Sequence, residues 1–298
     1  AGLYWTAPGR AFLARVASRA AMSEPADILD RTAQGLVRAA GFPSRFALRQ
    51  LLEFLEGVGE CISLLAGSLR FIVSRRLVWR DAVTQMSSIG VDSLLLVMIT
   101  VAFSGAVVAL YSSALLTRWG VSSYVGGGLV LSVVREIGPV LTAVVVAARS
   151  GSAIAAEIGT MKVTEQVDAL RSLAISPVEY LVAPRVLASL VVFPMLTVFA
   201  DFTGALGGYV VAVASGVPAG TFLDSTERFV EAYDISMGLV KALAFGLVVS
   251  LVCCQQGLRT RGGATGVGRS TTNAVVVSIV LIYILNFFLA YLMFGGQK

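Results

Sequence analysis

Apolar residues in this chain fall in long runs, without the strict alternation of a strand or the one-sided stripe of a soluble helix. Residues 94–116 hold no charge at all, and residues 125–148 are apolar except for the adjacent pair Arg135-Glu136. Residues 186–215 are broken only by Asp201, residues 235–256 only by Lys241, and residues 270–294 carry no charge. A bilayer core needs about 20 apolar residues as a helix, so the pattern predicts five membrane spans. Their backbones must be helical, because lipid offers no partner to an open strand. Residues 47–73 differ. Leu48, Leu51, Leu52, Leu55, Val58, Ile62 and Leu65 recur at helical spacing, with Arg49, Glu53, Glu56 and Glu60 between them. This predicts an amphipathic helix, either lying in the membrane interface or packed on the spans.

The fold class expected is therefore an all-α membrane protein: five transmembrane helices, an N-terminal amphipathic interfacial helix and a short cytoplasmic helix described below. No internal repeat and no folded soluble domain is evident. Residues 47–298 read as one membrane domain, preceded by a basic or linker segment over 1–46. The first 21 residues are rich in Ala, carry Arg10, Arg15 and Arg19, and contain no acid. They read either as part of a transit peptide, or sequence upstream of a start at Met22, or as a basic tail on a membrane surface.

Composition supports the membrane class and removes alternatives. Charged residues make up 14% of the 298 and apolar ones 56%, against about 25% charged in a soluble domain. A net charge of +5, from 23 Lys+Arg and 18 Asp+Glu, is too small and too scattered for nucleic-acid binding. With no histidine, Ser-His-Asp catalysis, HExxH zinc sites and haem ligation by His are unavailable. Cys61, Cys253 and Cys254 have no metal-ligand spacing and read as small core residues. No metal site and no cofactor are expected.

Positive charge orients the spans. Arg70, Arg75, Arg76 and Arg80 precede the first. Arg149, Lys162, Arg171 and Arg185 separate the second from the third, and Arg259, Arg261 and Arg269 the fourth from the fifth. The other two loops are poor in cations. The N-terminus is thus expected on the cytoplasmic, or stromal, side. On that side, residues 163–174 predict a short helix with Val163, Val167, Leu170 and Ala174 on one face and Glu165 and Asp168 in its first turns, where acids suit the helix dipole. Pro177 stops it. Such a helix between spans suits transmission of force from a cytoplasmic partner; an ordinary interfacial loop helix is the plainer alternative.

Two features invite other readings. Gly263-Ala-Thr-Gly-Val-Gly268-Arg269-Ser270 fits a phosphate-binding loop only if Arg replaces the Lys, and an apolar span follows where a soluble sheet is required. It reads instead as a flexible loop ending in an N-cap, Ser270 or Thr271. Arg135-Glu136 is the second. Charges at membrane depth cost about 2.5–3.5 kcal/mol each on insertion scales, so they face a cavity or a partner. A buried ionic tie between helices and a contact with a lipid headgroup, or ordering of a gate, both remain open. Asp201 and Asn286 read as interhelical hydrogen-bond residues, and Gly204-x-x-x-Gly208 and Ala147-x-x-x-Gly151 as close-packing motifs.

Several motifs carry a family resemblance. They are Arg135-Glu-Ile-Gly-Pro-Val-Leu-Thr-Ala143, Ala148-Arg-Ser-Gly-Ser-Ala153, Ala156-Glu-Ile-Gly-Thr-Met161 and Thr164-Glu-Gln-Val-Asp-Ala-Leu170. Pro184-Arg185, Pro194, the Gly262–Gly268 run, Ser270-Thr-Thr272 and Leu292-Met-Phe294 extend them. The chain resembles the MlaE/YrbE permeases over residues 47–295, and within them the plastid and cyanobacterial trigalactosyldiacylglycerol type. The resemblance implies the permease subunit of an ABC-type phospholipid transporter. It would pair with a second copy of itself, a separate ABC ATPase subunit that holds ATP and Mg, and an MCE-domain substrate-binding protein. It would sit in a bacterial inner membrane or a plastid inner envelope membrane. The cytoplasmic helix would then be the coupling helix, with Glu165, Gln166, Asp168 and Leu170 matching the docking motif. Arg135, Glu136 and, by loop position, Trp119 would lie near the lipid. A membrane-embedded lipid-modifying enzyme would need a cluster of acid, base and nucleophile that the spans lack, and an ion-coupled carrier would show paired repeats.

Overall fold

The computed structural model describes residues 42–73 and 79–295, and among them every regular element is a helix. The expectations for residues 1–41 lie outside the described residues. The chain divides into two compact units at Glu60/Cys61, so the first helix, α1 (Phe42–Val73), contributes to both.

In the second unit, α2 (Trp79–Arg118) is followed by a 3₁₀ turn (Ser122–Tyr124) and a continuous rod. The rod consists of α3 (Val125–Ser132), a π turn (Val133–Ile137), α4 (Gly138–Val146), a second π turn (Ala147–Gly151) and α5 (Ser152–Val163). Then come α6 (Gln166–Ser172), a third π turn (Val178–Val182) running into α7 (Ala183–Ala214), and α8 (Ala219–Phe229). The last two helices are α9 (Ala232–Leu258) and α10 (Gly263–Phe294). Five segments are long and apolar enough to cross a membrane: Trp79–Arg118, Ser122–Val163, Val178–Ala214, Ala232–Leu258 and Gly263–Met293. These overlap the five expected spans, and each begins earlier in the chain.

Small residues share the inner faces with β-branched ones, as in a membrane bundle where backbones approach closely. Along α2 the buried positions recur every fourth residue and include Ser93, Gly105, Ala109 and Ser113. The large residues Leu95, Phe103, Val107 and Tyr111 point outward. On α7, a Cβ added at Gly207 would collide with the Ala102 carbonyl, and one at Gly105 with the Gly204 carbonyl. Gly208 packs against Leu129 of α3. The motif at 204–208 is thus a seam within the chain, where α7 approaches α2 and α3. Gly151 likewise meets Cys253 and Val249 of α9.

Three expectations are corrected. The second span does not end at residue 148. Its polar continuation stays helical because partners on α2 absorb it: Ser150 and Ser93 share a hydrogen bond of 2.9 Å, Arg149 donates to Ser93 at 3.4 Å and pairs with Asp92 at 3.5 Å. The Gly262–Gly268 run is not a loop. Gly262 adopts a left-handed φ of 89° and α10 begins at Gly263, so Ser270 and Thr271 lie inside the helix, where Thr271 donates back to the Gly268 carbonyl. The short helix expected between the second and third spans is shorter than residues 163–174. Val163 closes α5, Glu165 is left-handed with φ 61°, and Ala174 is left-handed with φ 58°. In α1 beyond residue 60, Ile62 and Leu69 face outward, whereas Leu64 and Ser68 are buried.

Candidate functional site

The first π turn builds the site. Its widened geometry, common at functional positions in helices, carries Arg135 and Glu136. The Arg135 Nε donates to Asp234 Oδ1 at 2.7 Å. Asp234 stands in the first turn of α9, where its Oδ2 also accepts from the Glu231 amide at 3.0 Å. That bond is half of a reciprocal capping box satisfying the amides that a helix start leaves without partners. Seven residues further along α9, about two turns on the same face, Lys241 is completely buried. It donates to Glu136 Oε1 at 2.6 Å and to the Arg135 carbonyl at 2.9 Å. Asn286 of α10 donates to Glu136 Oε2 at 2.8 Å. Two cations and two anions thus cancel, which removes most of the cost of carrying charge in an apolar layer.

Glu136 and Asn286 open on a groove of about 620 Å³. Phe103 and Val107 of α2, Val140 and Leu141 of α4 and Tyr283 of α10 supply most of its wall. The groove is open along one side and mostly apolar, with Glu136, Asn286 and the hydroxyls of Ser104 and Tyr283 as its polar groups.

Of the residues expected near lipid, only Glu136 lines this groove. Arg135 is committed to Asp234, the buried ionic tie of the two readings its sequence allowed. Trp119 stands after the end of α2, 70% exposed and away from the groove wall. Asn286 is the interhelical bridge expected of it. Asp201 is buried in α7 against Gly138, and its Oδ1 has no hydrogen-bond partner among the described residues. Asp234 and Lys241 were overlooked as site residues. A signal was present for Lys241: an intramembrane lysine needs an acid, and Glu136 is the acid within the second apolar run.

The second feature is α6. Between the two left-handed residues it presents Glu165, Gln166 and Asp168 outward, keeps Leu170 half-buried, and anchors itself through the fully buried Val167. Lys162 of α5 bonds Asp168 at 2.9 and 3.1 Å, and Arg171 bonds it at 3.2 Å. Those bonds, Lys162 first, hold the Asp168 carboxyl below its ordinary value of 3.8, so it is ionised at neutral pH. At the same end of the bundle Arg185 pairs with Glu157 at 2.8 Å.

Five membrane-length helices, a lateral groove over a neutralised charge cluster and a projecting interspan helix define a polytopic helical membrane protein. Comparison with known proteins specifies it further. Residues 82–292 match the family Permease MlaE. The chain is 44% identical over 226 residues to a probable ABC transporter permease protein of Synechocystis sp., covering 76% of this chain and 86% of that one. A probable ABC transporter permease protein of Rickettsia typhi is 40% identical over 247 residues, 83% of this chain and 95% of that one. Protein TRIGALACTOSYLDIACYLGLYCEROL 1, chloroplastic, of Arabidopsis thaliana is 38% identical over 240 residues, 80% of this chain and 69% of that one. The chain belongs to the MlaE permease family.

Proposed function

We propose that the chain is the permease subunit of an ABC-type phospholipid transporter that moves lipid between membranes. Two copies form the pathway. A separate ABC ATPase, holding ATP and Mg, drives it from the cytoplasmic or stromal side, and an MCE-domain lipid-binding protein exchanges lipid on the other side. The membrane is a bacterial inner membrane or a plastid inner envelope membrane. The observation that carries this reading is the groove: apolar, at membrane depth, and ending on a charge cluster that links the rod, α9 and α10. The acyl chain lies along Phe103, Val107 and Val140, with Glu136 beside the headgroup. Arg135 acts through Asp234, ordering the start of α9, and Trp119 sits at the membrane rim, where amphipathic aromatic rings are favoured.

In this reading α6 is the coupling helix. Glu165, Gln166 and Asp168 contact the ATPase, and Leu170 packs at the edge of the contact. The left-handed residues at both ends hold α6 in one orientation, and Lys162 ties it to α5, which continues through the rod to the groove. Nucleotide-driven movement of α6 would therefore reach Glu136 along one continuous helical element. The test is charge reversal, Glu165→Lys with Asp168→Lys, in the assembled complex. Loss of ATPase co-purification and of lipid transport is expected. If both survive, α6 is not the coupling element.

A further inference from the structure

The one strongly exposed charge on the groove wall is negative. Lys241 is fully buried, Asp234 is 2% exposed, and Arg135 is turned onto Asp234, whereas Glu136 is 42% exposed and lines the groove. Each Glu136 oxygen accepts one bond from the protein, from Lys241 or from Asn286. A carboxylate has about four lone-pair sites, so capacity to accept remains on the groove side. The hydroxyl of Ser104, also on the wall, already donates to the Thr100 carbonyl at 2.8 Å, and so offers the groove only an acceptor. The Tyr283 hydroxyl and the second N–H of the Asn286 amide remain as side-chain donors among the described wall residues. The charged group at the polar end of the groove is thus an acceptor with lone pairs to spare. In a low-dielectric setting a carboxylate strengthens any N–H or O–H bond made to it.

We infer that Glu136 selects lipids whose headgroup carries hydrogen-bond donors, hydroxyl or ammonium, over lipids whose headgroup offers only acceptors. The inference rests on the groove being the lipid site proposed above. The headgroup's donor bonds the outward face of Glu136 while Lys241 and Asn286 hold the carboxylate from behind. A phosphodiester with no donor leaves the outward lone pairs of Glu136 without a partner at that point. Glu136 is thereby a specificity-determining residue, and the buried Lys241 positions it.

The test uses the full chain in nanodiscs containing one of four dioleoyl lipids with a photoreactive group in one acyl chain. Phosphatidylethanolamine and a monoglycosyl diacylglycerol carry donors; phosphatidylcholine and phosphatidylmethanol do not. Labelling is mapped to the segments containing Phe103, Val107 and Val140. A hydrogen bond to a charged group predicts about tenfold preference for the donor lipids over phosphatidylmethanol. In Glu136→Gln, which removes the charge and adds a donor, that preference falls to within about twofold. Strong labelling by only one of the two donor lipids still supports the inference and assigns the donor as ammonium or hydroxyl. Equal labelling by all four lipids, or phosphatidylcholine matching phosphatidylethanolamine, overturns the inference and leaves the lipid pathway standing. Labelling of none of the groove segments overturns both. The wild-type preferences decide the matter even if Glu136→Gln does not fold.

Discussion

The tie between Lys241 and Glu136 gives the sharpest energetic prediction. Lys241→Met retains most of the side chain's length and volume, so the cavity contribution is small. It removes two bonds from a fully buried ammonium, to Glu136 at 2.6 Å and to the Arg135 carbonyl at 2.9 Å. Deleting one partner of a buried ion pair costs about 3–5 kcal/mol, because the other charge is left uncompensated. Glu136 keeps its bond from Asn286 and is 42% exposed, which places the loss at the lower end. About 3 kcal/mol corresponds to a roughly 150-fold fall in the folded-to-unfolded ratio. Adding Glu136→Gln removes the stranded charge, so the double variant should recover at least half of that loss, a coupling of about 1.5 kcal/mol or more. Reversible unfolding of the full chain in mixed micelles, with rising denaturing detergent, measures all three variants beside the wild type. A Lys241→Met protein as stable as wild type refutes the buried tie. So does a double variant whose loss equals the sum of the two single losses.

Other outcomes follow from the helix seams and from α6. Gly207→Ala drives a Cβ into the Ala102 carbonyl and should cost about 1–3 kcal/mol; Gly128→Ala meets nothing within 4 Å and should gain about 0.5–1 kcal/mol, both read from unfolding midpoints. Glu165→Gly removes the cost of a left-handed non-glycine residue, about 1–2 kcal/mol; slower amide exchange across α6 in the variant checks it, and faster exchange contradicts the strain. Asp168 is ionised in its bonds to Lys162 and Arg171 and its carboxyl is held below 3.8, so its contribution is present at neutral pH and is lost only as pH falls below that value. Hydrogen exchange of residues 162–172 should therefore be insensitive to this group from neutral pH down to about 4, and Asp168→Asn should raise exchange at neutral pH.

Much of the architecture could be read directly from the sequence. Five uncharged or nearly uncharged runs are sufficient, because the thickness of the hydrocarbon layer and the need to satisfy every backbone amide leave only helices of that length. The helix ends could not be read in the same way. Residues 149–152 look like the start of a loop until Ser93 and Asp92 on α2 provide partners for Ser150 and Arg149. The Gly262–Gly268 run looks like a loop because glycine is a poor helix former, yet most of it forms the opening turns of α10. On α6 the acidic and apolar residues were visible, but the left-handed turns at Glu165 and Ala174 that define its ends have no sequence signal comparable to a glycine.

The class of protein, the number of spans and the presence of charges that need neutralising in an apolar layer are legible residue by residue, because burial in lipid penalises each residue individually. Which charge neutralises which depends on how the helices pack. Arg135 and Glu136 meet α9 two turns apart, at Asp234 and Lys241, and Glu136 also reaches Asn286 of α10. Such pairings depend on helix approach, and that on glycine contacts such as Gly207 against Ala102. They are properties of pairs of segments far apart in the chain, and a one-dimensional pattern of apolar and polar positions does not contain them.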